Sequence, residues 1–459
     1  MMKRLLLLVL CAFPALFTVH YSLGNTVAAQ SRFVGGDLSM IPAYEQAGDK
    51  WLDASGTVIT DLISYVKSQG WTAVRVRLFV DPSQDTDPSV CQNLAYVLSL
   101  GKRVKDAGLC FMLDLHYSDT WADPETQQIP ASWTDHSRAA LASQLYTYTH
   151  SVISSMIAGG ATPDYVQIGN EITYGLLWDT ATGKYPSSSS QYAAAGYCPT
   201  WSTSYSDGTS QWQRTASFLN NAAHGVRQSF ADSGLDSMQV RIVVHTEMGN
   251  ATRNSDNFYR HLRTAGFTNF DVIGLSYYPF WHGPLSVLGS LLATLGKDFA
   301  DKEVQIVETA WYNNWYPSDA NYTIAQLNSN WTANAQGQAN FLRDLIAFLE
   351  SYSSVTGLYY WMPEECGNGY QKTVMKNWQN RGLWQNGSSQ RHAMLVAPDG
   401  TNPVALLSTF LSTDGIEGIE SLPHSNTSSQ HHSLYDLSGR RMEKPVRGIY
   451  IQNGRKVLR

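Results

Sequence analysis

Charge is what this 459-residue sequence has least of: Asp, Glu, Lys and Arg together make 15% of it, against about 25% in an average soluble chain. So small a charged fraction argues against disorder and against a coiled coil. There is no block of Lys or Arg, and the net charge is −6 with a pI near 6.0. That leaves no footprint for nucleic acid and no polybasic patch for a membrane surface. Cysteine is scarce too, five residues with no C-x-x-C pair, which excludes the common zinc and dithiol motifs. Beyond the first residues no run approaches the ~18 apolar residues that span a bilayer, so no transmembrane segment is expected. What is abundant is aromatic. Trp 14, Tyr 25 and Phe 15 make 12% of the chain, beside 35 Gly. This is the composition of a large, loop-rich globular protein with many flat apolar faces, which serve core packing and also suit sugar rings.

The N-terminus carries a leader pattern. Lys3 and Arg4 precede an apolar run from Leu5 to Val19 broken by Pro14, and Val27-Ala28-Ala29 supplies a small-residue cleavage site. A signal peptide over residues 1–29 is expected, because the run is short for an anchor. Leu10 before Cys11 is bulky where a lipoprotein signal wants a small residue. The mature chain is therefore expected to be exported, to the periplasm, the cell surface or the medium; the sequence does not set its oligomeric state, and a monomer is the favoured expectation. Cys91, Cys110, Cys198 and Cys366 remain after cleavage. Four cysteines allow three pairings, and none is assigned. Cys110, at the start of an apolar strand, reads as a small core residue.

Short β-like runs recur along residues 30–412: Phe33–Asp37, Ala73–Phe79, Cys110–His116, Tyr165–Gly169, Val240–His245, Val272–Tyr278, Val304–Glu308 and Gly357–Trp361. Between them lie segments of helical apolar spacing: Ile59–Lys67, Leu94–Ala107, Arg138–Ala158, Phe218–Ser229, Phe258–Ala265, Leu285–Ala300 and Gln338–Leu349. Alternating strands and helices predict a parallel sheet, and eight units are the count that closes a (β/α)8 TIM barrel. A doubly wound open sheet is disfavoured because no Gly-rich phosphate loop follows the first strand. The insertion from Thr173 to about Gln213 would lie over the active face. From residue 413 the character changes to a polar linker and then a tail, Leu434 to Arg459, whose two turn signals predict a small β-hairpin. About 25 residues of it resemble the C-terminal sorting or attachment segments of some exported Gram-negative proteins.

A barrel concentrates reactive groups at the C-terminal ends of its strands. Here these ends carry Arg75 and Arg77, Asp114 and His116, Asn170 and Glu171, His245 and Glu247, Tyr278, Glu308, and Trp361. Two carboxyls facing each other across a glycosidic bond can divide its cleavage between them. Glu171 and Glu308 are the best pair: each directly follows an apolar strand, and strands four and seven lie on opposite sides of a barrel axis. Asn170 beside Glu171 can hold a sugar hydroxyl. Glu247 is the competing acid, without a preceding Asn. His116 and His245 lack helical H-x-x-x-H spacing and an evident third ligand, so they read as hydrogen-bonding or packing histidines and no metal site is predicted.

Arg75-x-Arg77, Asp114-Leu-His116-Tyr117-Ser118-Asp119-Thr120-Trp121-Ala122-Asp123-Pro124, Ile168-Gly169-Asn170-Glu171-Ile172, Gly175-Leu176-Leu177-Trp178, Ser276-Tyr277-Tyr278-Pro279-Phe280 and Val307-Glu308-Thr309 together resemble the arabinogalactan endo-β-1,4-galactanases, the fifty-third glycoside hydrolase family. The likeness runs from about Phe33 to Leu411. It implies an exported retaining endo-hydrolase of β-1,4-galactan, with Glu171 as acid/base, Glu308 as nucleophile and Asn170 on the reacting sugar's hydroxyl. By the same resemblance Arg75 and Tyr278 orient the nucleophile, Arg77 being the alternative arginine, while His116 and Trp361 line the reacting subsite. Such chemistry asks for a low pKa at Glu308 and a high one at Glu171, with carboxyls about 5–5.5 Å apart. No cofactor is implied. Bacterial members carry an acid-rich calcium loop after strand seven, but Tyr312–Gln326 has Asp319 as its only acid. No calcium site is expected there unless carbonyls build one. Two other readings stay open: the same barrel acting on another β-1,4-glycan such as glucan or mannan, and a non-catalytic glycan-binding protein.

Overall fold

The computed structural model describes residues 32–179, 210–247, 252–366, 380–385 and 387–411, together with four short strands of the tail. The leader, Cys198, most of the insertion after Thr173 and the linker of the tail lie outside the described residues. Eight parallel strands close on themselves: β1 (Phe33–Asp37), β2 (Ala73–Leu78), β3 (Cys110–Leu115), β4 (Tyr165–Ile168), β5 (Arg241–Thr246), β6 (Val272–Ser276), β7 (Glu303–Thr309) and β8 (Val355–Trp361). Closure is made by β8 against β1, with Gly35 opposite Tyr359 and Asp37 opposite Trp361. The expected (β/α)8 barrel is what the chain forms.

Two separate cores hold it. One lies inside the barrel, where Ala73, Met112, Tyr165, Val243, Val272, Val307 and Tyr359 meet, with Phe33 and Cys110 packed against them. The other lies between strands and helices, and takes the alternate strand residues Val74, Val76, Leu113, Val166, Ile168, Val244, Ile273 and Ile306. A strand shows its faces with period two, so one run feeds both cores. Cys91, Cys110 and Cys366 are free thiols.

Helix Arg138–Ala158 begins where Ser137 accepts from the Ala140 N–H, and it coincides with its predicted span. Helix Gln211–Asp232 starts two turns before the predicted Phe218, on a Ser210/Gln213 capping box. That box was legible in the sequence, although Gln211 to Arg214 looks polar. A three-stranded sheet of Lys50–Leu52, Trp384–Gln385 and Arg391–Met394 was not predicted. It joins segments more than 300 positions apart, which no local pattern reports. In the tail, Leu434–Tyr435, Arg441–Met442, Ile449–Gln452 and Arg455–Leu458 pair into a four-stranded antiparallel sheet, with Gln452 opposite Arg455 across Asn453-Gly454.

β1 and β2 approach so closely at Gly35 that a Cβ there would lie 1.8 Å from the Ala73 carbonyl oxygen. Neither backbone can yield without opening the barrel. Gly35→Ala should therefore lower unfolding stability by about 3 kcal/mol, read as a drop in denaturation midpoint at unchanged slope.

Candidate active site

Above the apolar layer the barrel interior turns polar. Arg75, on the inward face of β2, is 1% exposed. Its Nη1 donates to Asp37 Oδ2 at 2.9 Å, and its Nη2 donates to Asp114 Oδ2 at 2.8 Å and to Asn170 Oδ1 at 2.9 Å. The same Nη2 lies 3.1 Å from Glu308 Oε1. Tyr278 Oη donates to the other oxygen, Glu308 Oε2, at 2.8 Å. Arg77 faces elsewhere: its Nη1 donates to Asp37 Oδ1 at 3.2 Å, and its guanidinium lies 4.4 Å over the Trp121 ring. Of the two arginines that sequence left open, Arg75 is the one beside Glu308.

Glu308 reaches the interior through an irregularity. Leu275 pairs with Ile306 but Ser276 with Glu308, and the register slips again against β8 between Ile306 and Thr309. The extra residue in β7 lets Val307 join the interior core while the adjacent Glu308 also points inward. Strict alternation would have turned one of them away.

Glu171 is held by a different device. Gly169 (φ 93°) and Glu171 (φ 49°) are both in the left-handed region, on either side of Asn170. For Glu171 this conformation is strained. The turn brings Asn170 Nδ2 to the Ala122 carbonyl at 2.8 Å and the Glu171 N–H to His245 Nδ1 at 3.3 Å. Ser276 Oγ donates to Glu171 Oε1 at 2.6 Å.

The remaining predicted residues gather around this pair. His116 Nδ1 accepts from the Ala122 N–H at 3.1 Å, its Nε2 lies 3.1 Å from Asp114 Oδ2, and its ring packs against Phe79 and Trp121. Half-buried Trp361 stands 6.4 Å from Trp121, with Arg381 4.6 Å over its ring. Glu247, after β5, donates its N–H to Thr173 Oγ1 at 3.3 Å. Burial pushes its carboxyl to about 8.

Two neighbouring carboxyls, Glu308 buried and Glu171 half-buried, that feel each other's charge cannot both ionise cheaply. Burial raises Glu171 well above the usual carboxylate range, the Glu308 charge raises it further, and Ser276 pulls it back. Glu308 is also raised by burial, against the pull of Arg75 and the Tyr278 hydroxyl. The expected low pKa at Glu308 is therefore corrected: burial outweighs the pull of Arg75, and Asp114 and Asp37, which share that guanidinium, raise the carboxyl further. The order survives, because Glu308 has a guanidinium and a phenol where Glu171 has one hydroxyl. Glu308 gives up its proton first.

Asp37, Gln167 and Arg381 were missed by the sequence reading. Asp37 ends an apolar strand and could have been flagged by position. Gln167 lies on β4 three residues before Asn170, and its amide oxygen accepts from Arg75 Nη2 at 3.2 Å. Arg381 follows no strand, and nothing local marks it.

The profile of glycosyl hydrolase family 53 matches residues 33–407. The chain belongs to glycosyl hydrolase family 53. A curated relative, the arabinogalactan endo-beta-1,4-galactanase A of Aspergillus niger, is 32% identical over 343 residues, 73% of this chain and 86% of its own. Among solved structures, the family 53 catalytic domain of Ignisphaera aggregans superposes with a TM-score of 0.65 at 26% identity, covering 82% of this chain and 95% of that one. A structure from a study of two fungal beta-1,4-galactanases gives 0.63 at 26% identity, covering 82% and 98%. This family 53 member is a glycoside hydrolase on a TIM barrel, with Glu171 and Glu308 together at its mouth.

Proposed function

We propose that this chain is an exported endo-hydrolase of β-1,4-galactan that works with retention of configuration. The observation that carries the chemistry is Glu308, its two oxygens engaged separately by Arg75 and Tyr278 at 3.1 and 2.8 Å, beside a more basic Glu171. Glu308 attacks the anomeric carbon while protonated Glu171 hands its proton to the leaving oxygen. Water then attacks the glycosyl-enzyme, giving its proton to Glu171 and freeing Glu308. Asn170, fixed through both ends of its amide, faces the hydroxyl next to the reacting carbon. Trp361 offers a flat ring to the apolar side of galactose, and His116 lines the same subsite. The relatives' names supply the substrate, since the Aspergillus niger enzyme is an arabinogalactan endo-beta-1,4-galactanase.

Export rests on the leader pattern of residues 1–29. No helix among the described residues is long and apolar enough to cross a membrane. The reading needs no metal. Asp319, the one acid of 312–326, is exposed, while Asn313 and Tyr316 donate to the Gly382 and Tyr322 carbonyls and Thr323 caps Gln326. Calcium takes six to eight oxygens, several of them carboxylate, and this donor set does not fit it.

Reducing-sugar release with chain-length analysis on debranched galactan, beside cellulose and mannan, tests the substrate. Galacto-oligosaccharides from galactan alone are expected, with the β anomer first in proton NMR. Release from a control glycan alone would select the other hydrolase reading, and binding without release the capture-protein reading.

A further inference from the structure

Behind Glu171 lies a chain of polar groups that the two-carboxyl scheme does not use. Ser276 Oγ, at the end of β6, is 2.6 Å from Glu171 Oε1 and 2.9 Å from His245 Nε2. His245, on β5, and Ser276 are both fully buried. His245 Nδ1 is met by the Glu171 N–H at 3.3 Å and the Gln167 Nε2 amide at 3.1 Å. A backbone N–H can only donate, so Nδ1 carries a lone pair. Asn170 Oδ1 is 3.0 Å from the same nitrogen but already accepts from both Arg75 Nη2 and Gln167 Nε2. The imidazole proton is thus on Nε2 and points at Ser276 Oγ, and the serine's own proton has one acceptor left, Glu171.

We infer that His245 and Ser276 are positioning residues, a one-directional hydrogen-bond relay that keeps a donor on Glu171 Oε1 and confines the transferable proton to Oε2. The inference rests on reading Glu171 as the acid/base. Its consequence for turnover is specific. When the glycosidic C–O bond breaks, the Oε2 proton leaves with the departing oxygen, and the new carboxylate finds its Oε1 hydrogen bond already made. When water later attacks the anomeric carbon, its proton returns to Oε2 and the bond to Glu308 breaks. Neither step requires Ser276 to turn. His245 must stay neutral throughout, and burial followed by the Arg75 charge holds its pKa well below the ordinary histidine value. The other ionisable groups around Glu171 are Glu308, Glu247 and Asp123, which raise it, and Tyr278 just after β6. None of these donates a hydrogen bond to Glu171 among the described residues, which leaves Ser276 as the group that favours its charged form.

The test is the pH profile of kcat/KM on galactan for Ser276→Ala, Ser276→Thr and His245→Asn. The alkaline limb reports the acid/base in the free enzyme. Deleting a donor to the carboxylate raises its pKa, so in Ser276→Ala the limb should move up by about one pH unit. Ser276→Thr keeps the hydroxyl and should restore the wild-type limb. His245→Asn keeps an acceptor near Nδ1 but removes the Nε2 donor, so it should shift the limb in the same direction, and Ser276→Ala added to it should shift it little further. An unmoved limb in Ser276→Ala, or an equal shift in Ser276→Thr, overturns the relay while leaving Glu171 as acid/base. Glu171→Ala distinguishes that from a deeper failure. If it loses activity on an activated aryl β-galactobioside as fully as on galactan, with no azide adduct, the acid/base assignment and the relay fall together.

Discussion

Glu308→Ala is expected to lose galactan hydrolysis by about 10⁴-fold or more, while still binding galacto-oligosaccharides with little change in affinity. One carboxylate is a small part of what holds a polymer, whereas in the proposed retaining scheme it is the group that forms the glycosyl-enzyme. The lost carboxylate leaves Arg75 Nη2 with Asp114 and Asn170, so the variant should fold, and circular dichroism with a binding isotherm separates lost chemistry from lost structure. Full retention of activity would end the nucleophile assignment. Glu308→Gln adds a second readout. Because the Glu308 charge is one cause of the raised Glu171 pKa, carbon NMR of labelled glutamate carboxyls should show Glu171 titrating at lower pH in this variant than in wild type.

For Glu171→Ala the expected loss depends on the substrate. With galactan, whose leaving sugar needs a proton, the fall should be about 10⁴-fold, the upper range of general acid catalysis. With an activated aryl β-galactobioside the first step should be nearly spared, and the glycosyl-enzyme should accumulate because no base activates water. Azide needs no such base. It should restore turnover and yield the β-galactosyl azide, whose configuration reports retention directly. An α-azide would mean inversion, with the carboxyls placed for water between them. Equal loss on both substrates would leave Glu247 to be tested as the acid, a half-buried group whose carboxyl desolvation pushes to about 8.

The strand ends named from sequence hold up unevenly, and the differences have causes. The apolar spacing predicts Arg138–Ala158, and the helix keeps those bounds because Ser137 caps it where that spacing begins. The inward turn of Glu308 was not legible in the same way. Glu303, Gln305 and Val307 share one phase of β7, and Glu308 joins Val307 inside only because β7 carries an extra residue against both neighbours. Periodicity has no means of seeing a bulge before the partner strands are known. Arg75 and Arg77 illustrate the same limit. Both lie on one face of β2, and only the position of Asp37, Asn170 and Trp121 around the closed barrel assigns Arg75 to Glu308 and Arg77 to the tryptophan.

By itself the sequence determined the alternation of strands and helices, the count of eight, and which acids and aromatics stand at strand ends. These follow from local spacing, because a strand's period and a helix's period are properties of consecutive residues. The tertiary structure alone decided which of those residues touch. Closing the barrel sets β5, β6 and the turn after β4 side by side, and so joins His245, Ser276 and Glu171 into one chain of hydrogen bonds. It also drew Asp37 and Arg381 into the site. The same burial that packs these groups raises the carboxyls of Glu171 and Glu308. Desolvation depends on everything that surrounds a group, and no stretch of chain records that.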